Sequence, residues 1–184
     1  PTDEDEKYAQ ECFDLVDSLG VSDIEFTGRV NVKEYLGRMD FTILTSISEG
    51  QPLTILESYA AHKPTIATDV GNCRELIYGN DDGFGAAGIL THIMNLEEIA
   101  QAMIDLAIDP EGREQMGEAG YKRVTSFYRI EQMKETLENT DNLLLVQDDR
   151  GVEIPAASTD QEFEFVFTVV IVISRDAEIV INLS

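Results

Sequence analysis

The sequence predicts an α/β fold: a Rossmann-like parallel sheet with helices on both faces, followed by a β-rich tail. Three observations predict it. Short apolar runs such as "FTILTS" (41–46) and "PTIAT" (64–68) alternate with stretches of helical periodicity. The turns "TSISEGQP" and "TDVGNC" each follow such a run and open the next helix. The alternation ends near residue 140, where a polar connector gives way to two further β-like runs. Alternating strands and helices favour a parallel sheet, because each helix carries the chain back to begin the next strand in the same direction.

The elements follow in order. Residues 3–19 carry Tyr8, Cys12, Leu15, Val16 and Leu19 at helical spacing, ended by Gly20. "IEFTG" (24–28) is a short strand and "NVKEYLGRM" (31–39) a short helix, before the buried strand 41–46. A helix runs from Pro52 to about His62, with Leu56, Tyr59 and Ala60 expected on its core face. Strand 64–68 leads to a helix over 72–79, where Asn72 and Glu75 have the spacing of a capping box. "AAGILTH" (86–92) is a fourth strand. Helix is then expected in three pieces, 96–109, 110–124 and 129–139, with Tyr121, Phe127 and Tyr128 packing between them. In the tail, "EFEFVFTVVIVIS" and "AEIVINLS" flank "RDA" and are expected to form a hairpin or to extend a sheet edge. The division is therefore one α/β domain over 1–140, then a linker and β-rich tail over 141–184.

Composition narrows the function. The 184 residues include 36 Asp and Glu against 13 Lys and Arg, a formal net charge of −23. Such a surface repels nucleic acid and anionic lipid, so neither is expected as a partner. Cys12 and Cys73 stand apart, with no Cys/His cluster, which fits a reducing, cytoplasmic setting and gives neither a disulfide nor a zinc site. Neither His62 nor His92 sits in a metal-binding pattern, and "GNDDGFG" (79–85) lacks the spacing of a calcium loop and reads as a connector. No segment resembles a signal peptide, and "PTDEDEKYAQ" reads as an internal start. The apolar run "FVFTVVIVI" (165–173) is about half the length a membrane helix needs.

Chemistry concentrates in "SISEGQPLTILESYA" (46–60). Pro52 suits the first helical position, where its missing N–H costs nothing. Gly50 lets the backbone turn and a ligand approach without a Cβ in the way. The N–H groups of Leu53 and Thr54 then face outwards with the helix dipole behind them, an arrangement that suits a diphosphate. Glu49 repels phosphate, and its carboxylate is better suited to accept hydrogen bonds from sugar hydroxyls. Glu57 lies about 7.5 Å farther along the helix than Pro52, roughly the span from a phosphate to the ribose of the same nucleotide. Taken alone, Glu57 reads more readily as a solvated glutamate on a helix flank. On the next turn, Gly71 and Asn72 border the same edge, while Asp69 lacks an evident partner and reads as solvated.

The E-x7-E pair, in the order "SEGQPLTILESYA", "KPTIATDVGNCRELI", "GAAGILT", "GYKRVTSFYRIEQM", resembles the C-terminal half of retaining GT-B glycosyltransferases of family four. The likeness covers about residues 1–137, and "EGQPLTILE" followed by "DVGNCRELI" resembles the branch that acts in exopolysaccharide synthesis. It implies a nucleotide-sugar partner, UDP-linked, with no cofactor and no required metal. It assigns Glu49 to the donor sugar as the catalytic contact and Glu57 to the ribose. Gly50, Leu53 and Thr54 offer backbone N–H groups to the diphosphate and sugar, and Gly71 and Asn72 belong to the donor pocket. In this family the leaving diphosphate is stabilised by the helix N-terminus and an Arg/Lys pair. That pair belongs to a unit expected upstream of residue 1, as does the acceptor domain. The chain by itself is therefore expected to be catalytically silent. Arg29, Arg38, Lys63 and Arg74 do not match the pair and read as surface residues. Two alternatives stay open at this point: a GT-B nucleotide-sugar epimerase, and a non-catalytic assembly module that self-associates through its β tail.

Overall fold

The computed structural model describes residues 3–22, 24–27, 30–129, 169–173 and 179–183. Its helices are α1 (Asp3–Leu19), α2 (Val32–Leu36), α3 (Leu53–Ala60), α4 (Cys73–Tyr78), α5 (Leu96–Ile108) and α6 (Pro110–Phe127). Its strands are β1 (Ile24–Phe26), β2 (Phe41–Leu44), β3 (Thr65–Thr68), β4 (Gly88–Thr91), β5 (Val169–Ile173) and β6 (Ile179–Leu183). The helix expected over 129–139 lies outside the described residues.

The strands join one sheet in the order β1-β6-β5-β2-β3-β4. β2, β3 and β4 are parallel, with Ile43, Ile66 and Ile89 in register. β6 runs parallel to β1, whereas β5 runs antiparallel to both β2 and β6. The tail hairpin is thus real, but it enters the interior of the sheet rather than extending an edge. There its two strands are paired on both sides, β6 with β1 and β5 with β2.

Every residue of β2 and β3 is buried, as befits central strands covered on both faces. On one face Leu44 and Ala67 pack with Ile55 and Tyr59 of α3, Leu76 and Ile77 of α4, and Ala119 of α6. On the other, Phe41, Ile43 and Ile66 meet Ile99, Ala102 and Leu106 of α5. A buried hydroxyl chain crosses from the sheet to α3. Ser58 donates to the Thr54 carbonyl (2.8 Å) and Thr42 Oγ1 lies 2.9 Å from Ser58 Oγ and 2.8 Å from Thr65 Oγ1. One proton per hydroxyl then sets the direction: Thr65 donates to Thr42, and Thr42 to Ser58.

Some expectations are corrected. The core face of α3 is Ile55, Ser58 and Tyr59, while Leu56 is half-buried and Ala60 is exposed. The helix begins at Leu53, and packing against α6 selects that face. α1 keeps its apolar spacing, yet Tyr8, Leu15 and Leu19 are exposed. It meets β1 instead through Phe13, edge-on to Phe26 at 4.6 Å. Tyr121 stacks on His62 at 3.8 Å beyond the end of α3, and Phe127 lies 6.1 Å from Phe84 of the 79–85 loop.

That loop is more than a connector. Arg123 of α6 is 2% exposed, and all five of its N–H donors are matched. Nε and Nη2 donate to the two carboxylate oxygens of Asp82 (2.6 and 3.1 Å), and Nη2 also donates to the Gly85 carbonyl (2.7 Å). Nη1 donates to the carbonyls of Leu76 and Ile77, both at 3.0 Å, near the C-terminal end of α4. Asp82 also accepts from the Phe84 amide at 3.0 Å. Its pKa is lowered, chiefly by the hydrogen bonds from Arg123.

Breaking one side of such a pair strands a buried charge. Arg123→Met is expected to destabilise the chain by about 3–5 kcal/mol, read by denaturant or thermal unfolding. The pH dependence has a definite sign. In the parent, Asp82's contribution is present above the ordinary value of 3.8 and is lost as pH falls through the lowered native value. In Arg123→Met the orphaned carboxylate favours its protonated form, so the deficit relative to the parent should narrow as the medium is acidified. A deficit that stays constant between neutral and acid pH counts against this account.

Candidate functional site

The parallel strands β2 and β3 end at one edge of the sheet, and their following segments, 45–52 and 69–72, lie together there. Ser46 donates to Glu49 Oε1 at 2.6 Å, and the Thr68 hydroxyl donates to the Ser46 carbonyl. The Asn72 amide donates to the Gly50 carbonyl at 3.0 Å. Gly71 has φ +49°, and a Cβ built there would fall 1.9 Å from the Glu49 carbonyl oxygen. Only glycine allows this approach. The Glu49 loop is therefore clamped from below by β3 and from the side by the 69–72 turn.

Gly50 itself has no left-handed φ, and a Cβ there would meet nothing within 4 Å. The tight backbone demand expected at Gly50 thus belongs to Gly71, while the space beside Gly50 is open. Pro52 is also displaced by one position. It is the N-cap of α3 (φ −70°, ψ 114°) rather than its first helical residue, so the leading amides are those of Leu53, Thr54 and Ile55.

Helix capping separates this edge from the rest. The side chains of Asn31, Asn95 and Asp109 cap α2, α5 and α6. No side chain caps α3 or α4. The expected capping box at Asn72 and Glu75 does not close. Asn72 has φ −89° and ψ 10°, outside the extended range a capping residue uses, and its amide is committed to Gly50. α3 has no acidic residue in its first turn, so its N-terminal amides and dipole carry no local negative charge from within the helix.

Glu57 lies on the exposed side of α3, one turn beyond Leu53, which is 68% exposed. Ile47 is likewise exposed, and with Leu53 it gives the loop two apolar shoulders. Thr54 Oγ1 is buried with no hydrogen-bond partner. Asp69 does have a partner, contrary to expectation: Arg74 donates to its Oδ2. Arg74, in the first turn of α4 and largely exposed, is therefore a surface cation paired with the turn that borders the site. Arg38 stacks over the Tyr35 ring at 5.8 Å, away from this edge, and Arg29 lies outside the described residues.

Cys73 is fully buried, and burial pushes its thiol up to about 11, with the carboxylates of Glu49 and Asp69 adding to the rise. It stays a thiol at neutral pH and offers no nucleophile. His92 accepts its place beside Glu98 at 2.9 Å, and His62 lies 3.3 Å from Glu118. Among the described residues no three His, Cys, Asp or Glu side chains are placed to hold a metal ion, and no helix is long and apolar enough to cross a membrane.

The structure thus brings Glu49, Gly50, Leu53, Thr54, Gly71 and Asn72 to one edge, with Glu57 one turn along α3. Sequence reasoning missed Ser46 and Thr68, which hold that loop. Ser46 precedes Glu49 by three residues, a local spacing that permits a hydroxyl–carboxylate bond; Thr68 reaches Ser46 only across strands.

Comparison with known proteins agrees with this architecture. Residues 5–123 match the family described as glycosyl transferases group 1. The chain is 31% identical over 139 residues to N-acetyl-α-D-glucosaminyl L-malate synthase of Bacillus anthracis, covering 74% of this chain and 35% of that protein. It is 44% identical over 57 residues to the O-antigen biosynthesis glycosyltransferase WbnH of Escherichia coli, covering 31% of this chain and 17% of that one. In fold it resembles Anabaena Alr3699/HepE in complex with UDP-glucose (TM-score 0.68, 19% identity, 76% of this chain and 38% of that one). It also resembles the sucrose-phosphate synthase of Thermosynechococcus elongatus (TM-score 0.66, 20% identity, 73% and 34%). The chain spans about a third of the length of the curated relatives it matches. The α/β sheet is that of GT-B glycosyltransferases, and the chain belongs to the glycosyl transferases group 1.

Proposed function

We propose that this chain is the donor-binding part of a retaining glycosyltransferase acting in the cytoplasm. The reaction moves a sugar from a UDP-linked donor to a saccharide acceptor in polysaccharide synthesis. In this reading "EGQPLTILE" followed by "DVGNCRELI" relates most closely to the glycosyltransferase of Pel exopolysaccharide synthesis. One observation carries the proposal: a carboxylate, Glu49, is clamped beside a helix N-terminus that no side chain caps. Uncapped amides with a dipole behind them attract an anion, and a neighbouring carboxylate attracts hydroxyls. A sugar diphosphate carries both. Anabaena Alr3699/HepE, a neighbour in fold, has been crystallised with UDP and with UDP-glucose.

The roles follow from the chemistry of each group. Backbone amides at Gly50, Leu53 and Thr54 receive the diphosphate and sugar, and Glu49 accepts hydrogen bonds from hydroxyls of the sugar being transferred. It is the catalytic contact. Glu57 accepts from the ribose hydroxyls, and Gly71 and Asn72 complete the pocket wall. No metal or cofactor enters. The leaving diphosphate is stabilised by donors already in place, so little reorganisation is needed as charge develops. Arg74 is paired with Asp69, so full stabilisation calls for cations beyond those of the described site. By itself the chain is expected not to transfer the sugar.

Ligand-observed NMR with UDP and a panel of UDP-sugars tests the proposal. Glu57→Ala should weaken UDP and UDP-sugar alike by roughly tenfold to a hundredfold, the worth of a hydrogen bond to a charged group. Glu49→Ala should leave UDP affinity nearly unchanged, or raise it as repulsion is relieved, while abolishing any preference for a UDP-sugar. Two variants that bind like the parent would refute both roles.

A third variant tests the clamp. Gly71→Ala puts a Cβ against the Glu49 carbonyl and strains a φ of +49°. It is expected to destabilise the chain by more than about 1 kcal/mol and to speed hydrogen exchange at the Asn72 amide. Unchanged exchange there would show that the loop is held by other means.

A further inference from the structure

The half-buried Glu49 carboxylate is oriented by a neutral partner. Ser46, itself 4% exposed, donates to Glu49 Oε1 at 2.6 Å, a length typical of a hydroxyl on a charged carboxylate. Among the described residues no other donor reaches this carboxylate, so Oε2 has none. Arg74, the cation bordering the next turn, is paired with Asp69 instead. One oxygen is thus fixed without a counter-charge that would cancel what the other presents. Ser46 is fixed in its turn. The β2–β3 ladder ends with Leu44 opposite Ala67, two residues before Ser46. Past that point the buried Thr68 hydroxyl donates to the Ser46 carbonyl and holds the backbone where strand pairing has stopped. Each hydroxyl has one proton, and both protons are committed along this relay from sheet to loop.

We infer that Ser46, braced by Thr68, is the positioning residue for Glu49: it binds Oε1 so that Oε2 is the oxygen offered to a hydroxyl of the donor sugar. This rests on the reading of Glu49 as the sugar contact and adds how that contact is aimed. A glutamate side chain turns about three bonds, and freezing it only when a ligand arrives would weaken binding. With Ser46 in place the ordering precedes the ligand. The benefit falls on the sugar alone, because a nucleoside diphosphate without its sugar makes no use of Glu49. Gly71, against the Glu49 carbonyl, fixes the same residue at its backbone, so Ser46 governs the side chain and Gly71 the loop.

Ser46→Ala removes the side-chain donor and keeps the Thr68 bond, which goes to the backbone. In the full chain without ligand, NMR couplings and 13C relaxation of the Glu49 side chain, assigned by its loss in Glu49→Ala, report its rotamers. One rotamer is expected in the parent and averaged rotamers in Ser46→Ala. Thr68→Val, which unbraces Ser46, should loosen Glu49 in the same direction and serves if Ser46→Ala does not fold. Ligand-observed NMR then compares UDP with UDP-glucose, UDP-galactose and UDP-N-acetylglucosamine. In Ser46→Ala the preference for the best of these over UDP should fall roughly fivefold to thirtyfold, while UDP binds as in the parent. A general loosening of the loop would weaken all four ligands instead. Ser48→Ala removes an exposed hydroxyl from the same loop and should change neither measurement. A Glu49 side chain as ordered in both variants as in the parent overturns the inference. So does a preference that survives Ser46→Ala although Glu49→Ala abolishes it, and the reading of Glu49 then stands. If the parent shows no preference, or Glu49→Ala keeps it, that reading falls first and the inference falls with it.

Discussion

The packing around the site depends on Arg123. Its guanidinium has five donors in a rigid fork, and here they reach Asp82, Gly85 and the final carbonyls of α4 at once. A buried cation is tolerated only when every donor is matched, so this one position dictates where α4 ends, how the 79–85 loop folds and how α6 lies. α6 in turn crosses α3 at very close range. A Cβ at Gly117 would fall 2.2 Å from the His62 carbonyl oxygen, and one at Gly120 would fall 2.5 Å from the Tyr59 ring. Through these contacts the arginine, remote from the ligand edge, sets the helix whose N-terminus forms the site.

The site itself is built from backbone more than from side chains. In the proposed donor site the attraction for an anion would come from amides left uncapped at α3, in a chain where α2, α5 and α6 all carry side-chain caps. Capping is favourable by about 1 kcal/mol, so leaving an end open has a cost in stability that a bound ligand can offset. The strong negative charge of the chain works against an anionic ligand, which makes fixed local geometry more important than the overall field. Glu49 is consistent with this: its loop is locked by Ser46, Thr68 and Gly71, so the carboxylate need not be ordered when a hydroxyl arrives.

The sheet shows the same theme of local rules meeting a long-range constraint. β2, β3 and β4 are wound in parallel with helices returning over both faces. The two positions between β1 and β2 are filled by strands of another kind, joined to each other antiparallel. Two uncharged strands suit that interior location, because both outer edges of the pair find partners there.

The sequence by itself determined the alternation of strands and helices, the turns at the ligand edge, and the family, because these depend on local periodicity and on residue types a few positions apart. Pro52 and Gly50 marked the start of a helix, although that helix began one residue later than expected. What only the tertiary structure decided was partnership. Arg123 and Asp82 are 41 residues apart, and nothing in either neighbourhood announces the other. The glycine the fold requires is Gly71 rather than Gly50, since the demand arises from the Glu49 carbonyl on another loop. Asn72 forgoes its capping box because its amide answers Gly50 across that same contact. The hairpin's place was likewise undetermined, for a strand's apolar pattern specifies that its edges must be paired but not with which neighbours.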